Sequence, residues 1–135
     1  MAFQLSDDVR NATLSAIETT VGTAPILTIS SGPAPTDCAS ANTGTVLATM
    51  NLPSDFLGTP SGGVVNLLGS WQDLSADATG IAGHFRIHNS VGTTCHMQGS
   101  ITATGNGGDM ELDNPNIATG QQISITSFTI TAGGA

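Results

Sequence analysis

From Ile81 to Ala103 the chain reads IAGHFRIHNSVGTTCHMQGSITA, two alternating runs joined by a short polar break containing a glycine. Ile81, Gly83, Phe85 and Ile87 share one parity, and Ala82, His84, Arg86 and His88 the other. Beyond the break, Met97, Gly99, Ile101 and Ala103 alternate with His96, Gln98, Ser100 and Thr102. Successive side chains of a strand point to opposite faces, so this stretch predicts an antiparallel hairpin with one dry face and one polar face. With Phe85 and Ile87 over the same core as Met97 and Ile101, His88 falls opposite His96 and Arg86 beside Gln98.

The remaining pattern predicts one helix and several short strands. Ser6-Asp7-Asp8 has the chemistry of a helix start, a hydroxyl for an exposed amide and two carboxylates in the first turn. Leu14, Ile17 and Val21 form a narrow apolar stripe ended by Gly22, giving a helix over about 7–21 that either covers the end of a sheet or reaches a neighbouring subunit as an arm. Strands follow at about 25–30, 45–51 and 64–68, the last running toward Trp71-Gln72-Asp73. Between them lie a long loop over Ser31–Gly44 and another over Leu52–Gly63, whose Phe56 and Leu57 are too apolar for water. Gly105-Asn106-Gly107-Gly108 signals a turn into a short strand over 109–113, and 114–122 reads as loop. Ile123–Thr131 closes the chain as one strand whose parity breaks near Thr126-Ser127, as a β-bulge would make it. Seven or eight strands with Gly-rich turns predict a single all-β domain over 1–135: an antiparallel β-sandwich or jelly-roll-like barrel with a short N-terminal helix.

Composition changes this picture by exclusion. The chain has no lysine and no tyrosine; Arg10 and Arg86 stand against ten carboxylates, for a formal charge of −8 with only 9% charged residues. Two arginines cannot neutralise a phosphate backbone or hold an anionic membrane surface, so neither nucleic acid nor membrane is expected as a partner. The start MAFQLSDDVR has no basic segment followed by an apolar run, which predicts synthesis in the cytoplasm without a secretory leader. Cys38 and Cys95 are accordingly read as reduced thiols, and a pairing in an oxidising exterior is left open.

Ser31-Gly32-Pro33-Ala34-Pro35, followed by Ala41-Asn42-Thr43-Gly44-Thr45-Val46-Leu47-Ala48, resembles a family of small proteins encoded by tailed bacteriophages and prophages. Those proteins share a short helical start ending in a strand, an SGPxP segment, and a loop leading to TGTxL. The helix LSDDVRNATLSAIET and the closing TSFTIT fit the same plan, so the resemblance covers most of the chain and is densest over Ser31–Leu52. It implies a virion structural protein. Its motifs are turn and strand motifs and carry no chemistry.

Candidate sites are few. His84, His88 and His96 with Cys95 invite a zinc reading, but strand parity puts the histidines and the cysteine on opposite faces, and no metal is expected. Asp109, Glu111 and Asp113 form a carboxylate ladder, read as a solvated face that discourages edge pairing, with calcium as the rival reading. No nucleophile motif accompanies a serine or a cysteine, so no catalytic residue and no cofactor is assigned. Positive charge concentrates on His84, Arg86, His88 and His96 beside Gln98. These five are the expected interface, meeting an acidic surface of another subunit, with the plain hydrophilic face of a half-exposed sheet as the rival reading.

The expectation is therefore a capsid decoration (cement) protein on the virion surface. It would be a homo-oligomer, a trimer, bridging major capsid protein subunits by binding rather than turnover, with the helix or the loop Ser31–Gly44 reaching the neighbour. The alternatives are a tail-tip or fibre-associated component, or a glycan-binding β-sandwich with Trp71 and Phe56 as its platform.

Overall fold

The computed structural model describes residues 3–135. Helix α1 spans Asp7–Val21, where the sequence predicts it. Ser6 Oγ accepts from the Val9 amide at 3.3 Å, and Gly22, at φ 89°, donates its own amide to Glu18 O. Leu14 and Val21 are buried and Ile17 is half-buried, so the helix lies on the domain and is not an extended arm. Arg10 fastens it there. Its Nη2 and Nε donate to Ala132 O at 2.9 and 3.3 Å, and its Nη1 donates to Gly62 O and to Asp7 Oδ1. One guanidinium thus ties the helix to both a mid-chain turn and the C-terminal segment.

Ten strands follow: β1 Ile26–Ser31, β2 Val46–Asn51, β3 Val64–Asn66, β4 Trp71–Asp73, β5 Gly80–His88, β6 Cys95–Ala103, β7 Met110–Leu112, β8 Asn116–Ile117, β9 Ile123–Ile125 and β10 Thr129–Thr131. The main sheet runs β2-β1-β5-β6-β7, with β8 pairing the start of β5; two separate ladders join β10 to β3 and β4 to β9. The architecture is a curled, mostly antiparallel β-structure with one N-terminal helix. Cross-strand partners share a face, and Met50, Leu27, Ile87 and Met97 form one dry row while Ala48, Ile29, Phe85 and Gly99 form the next. Against this face packs an aromatic chain. The Phe56 and Trp71 rings stand 6.2 Å apart, Trp71 and Phe128 5.6 Å, and Phe128 meets Phe85 edge-on at 5.5 Å.

Three expectations need correction. The closing stretch is not one bulged strand: β9 pairs with β4 and β10 with β3, so the parity break marks a change of ladder. The segment 114–122 is not all loop, because Asn116–Ile117 pairs with Gly80–Ile81. And β7 runs parallel to β6, in the register Ile101↔Met110 to Ala103↔Leu112. Parallel neighbours ordinarily need a crossover of a dozen or more residues, whereas here the chain makes a compact loop. The carboxylate ladder is what closes it. Asp109 Oδ2 accepts from the Ser100 amide and hydroxyl, Glu111 Oε2 from the Gly105 and Gly107 amides, and Asp113 Oδ1 from the Thr104 hydroxyl. These carboxylates cap a turn rather than form a free solvated row.

Candidate functional site

The polar face of the main sheet is built in three cross-strand rows. Ser30, His84 and Ser100 form the first; Thr28, Arg86 and Gln98 the second; Ile26, His88 and Cys95 the third. The pairing of Arg86 with Gln98 is as the alternation predicts. The third row is not, because the register shifts between Ile87 and His88 and brings Cys95, not His96, opposite His88. An irregularity of this kind turns the bulged strand locally, and it carries the Cys95 sulfur to the Arg86 side of the sheet.

This face is not open to solvent. Residues 32–44 fold down across it as a roof, and His84 and Arg86 are 0% and 3% exposed. His84 Nδ1 donates to Gly32 O at 2.9 Å, since a carbonyl can only accept, and its Nε2 lies 3.0 Å from the Asn42 side-chain amide, which in turn bonds Ser30 Oγ. Arg86 Nη2 donates to Cys38 O at 2.8 Å and Ser40 O at 2.9 Å, and its Nε donates to Cys95 Sγ at 3.2 Å. Gln98 Nε2 donates to Pro35 O at 2.8 Å. His84 and Arg86 therefore each hold two points of the roof, and Gln98 one, by backbone or amide oxygens.

Two glycines permit the close approach. Gly44 has φ 75°, and a Cβ there would collide with the Ser31 carbonyl; a Cβ on Gly83 would strike the Gly32 carbonyl. The Ser31 hydroxyl accepts from the Thr45 amide at 3.0 Å, and the Thr43 hydroxyl donates to Pro33 O at 3.2 Å. Asp37 closes the tip by accepting from the Ser40 amide and hydroxyl. Those bonds, with a smaller attraction from Arg86, hold its carboxyl below the usual carboxylate range.

Of the expected interface of His84, Arg86, His88, His96 and Gln98, three residues need correction. His84 and Arg86 are buried by the chain's own loop, and Gln98 is half-buried with its amide committed to Pro35. His88 and His96 are half-buried; burial first, then the Arg86 charge, pushes the His88 pKa down. The loop expected to reach a neighbour folds back on its own sheet. Alternation revealed the polar face but carried no sign of what covers it.

With no lysine in the sequence and both arginines buried, the described surface presents no lysine or arginine side chain. The glycan platform is likewise corrected. Trp71 is 1% and Phe56 0% exposed, and both belong to the aromatic core. A cleft of about 590 Å³ lies between the β6–β7 loop and the segment 121–129, lined by Asp109, Glu111, Asp113, Gln122 and Ser124 among others. Its carboxylates are the turn-capping ones, and no group of three or more His, Cys, Asp or Glu side chains is placed to hold a metal among the described residues. No helix among the described residues is long and apolar enough to cross a membrane.

Burial and the neighbouring Cys95 thiol push Cys38 up from its ordinary value of 9.0 to about 11. The folded chain thus keeps that proton to higher pH than the unfolded chain does. The stability it contributes is complete below the unfolded value and is lost as pH rises through the folded one. Lysine and tyrosine, whose side chains ordinarily titrate in that range, are absent from the sequence. Denaturant midpoints measured under reducing conditions should fall between about pH 9 and 11, and Cys38→Ser should flatten the decline. An equally steep decline in the variant would rule this origin out.

Set against protein-family models, curated proteins and solved structures, the chain matches none.

Proposed function

We propose that the chain is a virion structural protein of tailed-phage type, a capsid decoration protein that acts by attachment across major capsid subunits. In this reading the main sheet and the two small ladders form the layers of a β-sandwich, and three copies assemble around a symmetry axis.

The observation that supports it most is how the resembling segment is built. Ser31–Ala48 is the roof and its hinges, with the Gly32, Pro35 and Cys38 carbonyls turned inward onto His84, Gln98 and Arg86. Pro33, Thr36, Ala39, Ala41 and Thr43 are left on the outside. Such residues lose little rotamer entropy when covered, so a surface of this kind binds without the ordering cost that long charged side chains impose. Several copies on a closed oligomer add their modest contacts into firm attachment.

Particle reconstruction of the phage encoding the chain, with immunogold labelling against it, tests the reading. Density and label are expected on the head at junctions between capsomers. Label confined to the tail would replace the head assignment with a tail-tip one, and purified particles lacking the chain would end both.

A further inference from the structure

We propose that Cys38 and Cys95 are a disulfide-forming pair whose oxidation fastens the roof covalently to strand β6. The two residues lie far apart in sequence, one at the tip of the roof and one at the start of β6, and a single guanidinium touches both. Arg86 Nη2 holds the Cys38 carbonyl at 2.8 Å while its Nε holds the Cys95 sulfur at 3.2 Å. Both cysteines are free and only half-buried, so a small reagent can reach them. The Cys95 thiol is also among the groups that raise the Cys38 thiol, after burial. In the reduced state the centre of the roof hangs on carbonyl hydrogen bonds to Arg86; oxidation adds a covalent strap beside them.

The chemistry is thiol–disulfide exchange with a small-molecule disulfide as oxidant. Cys95 is the first nucleophile, because its sulfur already receives the Arg86 N–H at 3.2 Å, a donor that would stabilise the thiolate as it forms. Its thiolate attacks the reagent, forming a mixed disulfide and releasing one small thiolate. Cys38 then loses its proton and attacks the Cys95 sulfur, forming the Cys38–Cys95 bond and releasing the second. Two cysteine thiols are oxidised, one disulfide reagent is reduced to two thiols, and the protons end on those products. Because the Cys38 thiol is held up, the second step should quicken with rising pH.

The test uses the full reduced chain incubated with oxidised glutathione. Both thiols should disappear from a thiol titration, with a mass lower by two hydrogens and no change in oligomeric state. The melting temperature should rise by about 10 °C, as expected for a bridge closing a long loop, and return on adding reductant. Cys38→Ser and Cys95→Ser should each abolish the rise. Thiols that stay free, a mixed disulfide that persists in the wild-type chain, a cross-linked dimer, or a bridge that leaves the melting temperature unchanged or lower would each overturn the proposal. The outcome is independent of where the chain sits on a particle.

Discussion

Replacing Arg86 with methionine should lower the unfolding free energy by about 3 kcal/mol and loosen the segment 33–43 while the hairpin β5–β6 stays formed. Methionine keeps the length of the apolar stem but has no donor. The Cys38 and Ser40 carbonyls then lose the charged N–H groups that satisfy them at 2.8 and 2.9 Å. Each orphaned carbonyl costs about 1–3 kcal/mol unless water reaches it, and water reaches it only if the roof lifts. Equilibrium denaturation gives the first quantity, and hydrogen exchange across 33–43 against 81–88 gives the second. An exposed arginine would show neither effect, so a change below about 0.5 kcal/mol would mean that the guanidinium is not what holds the roof.

Trp71→Ala should cost about 4 kcal/mol, in the range for emptying a large aromatic site in a core. Trp71 is wedged between Phe56 and Phe128, and its indole Nε1 donates to Leu68 O at 3.2 Å. Removing it strips ring contacts from both neighbours and frees the Leu68 carbonyl. The loss should register as a lower melting temperature and a shifted denaturant midpoint. A variant as stable as the wild-type chain would contradict the packing and return Trp71 to candidacy as a surface platform.

Some of this molecule is legible from local rules. Ser6, the two aspartates and Gly22 bracket α1 because capping and the helix dipole act within a turn or two. Alternation placed Phe85 and Ile87 on the dry face and paired Arg86 with Gln98, because the pleat assigns each side chain to a face through covalent geometry alone. Apolarity marks Phe56 and Leu57 for burial, and they are buried. The carboxylates at 109, 111 and 113 were visible as a ladder but not as caps, since a parallel return over so short a loop has no periodicity of its own.

Only tertiary structure decided what the polar face is for. Strand parity says that His84, Arg86 and Gln98 share a side, and it is silent on whether water or protein lies above them. That depends on Gly32, Pro35, Cys38, Ser40 and Asn42, which sit more than forty residues earlier and present oxygen atoms to those side chains. Backbone carbonyls belong to every residue alike, so their use as acceptors leaves no mark in the amino-acid order. The irregular register at His88 and Cys95 is of the same kind: it brings the Cys95 sulfur to the guanidinium that also holds the Cys38 carbonyl.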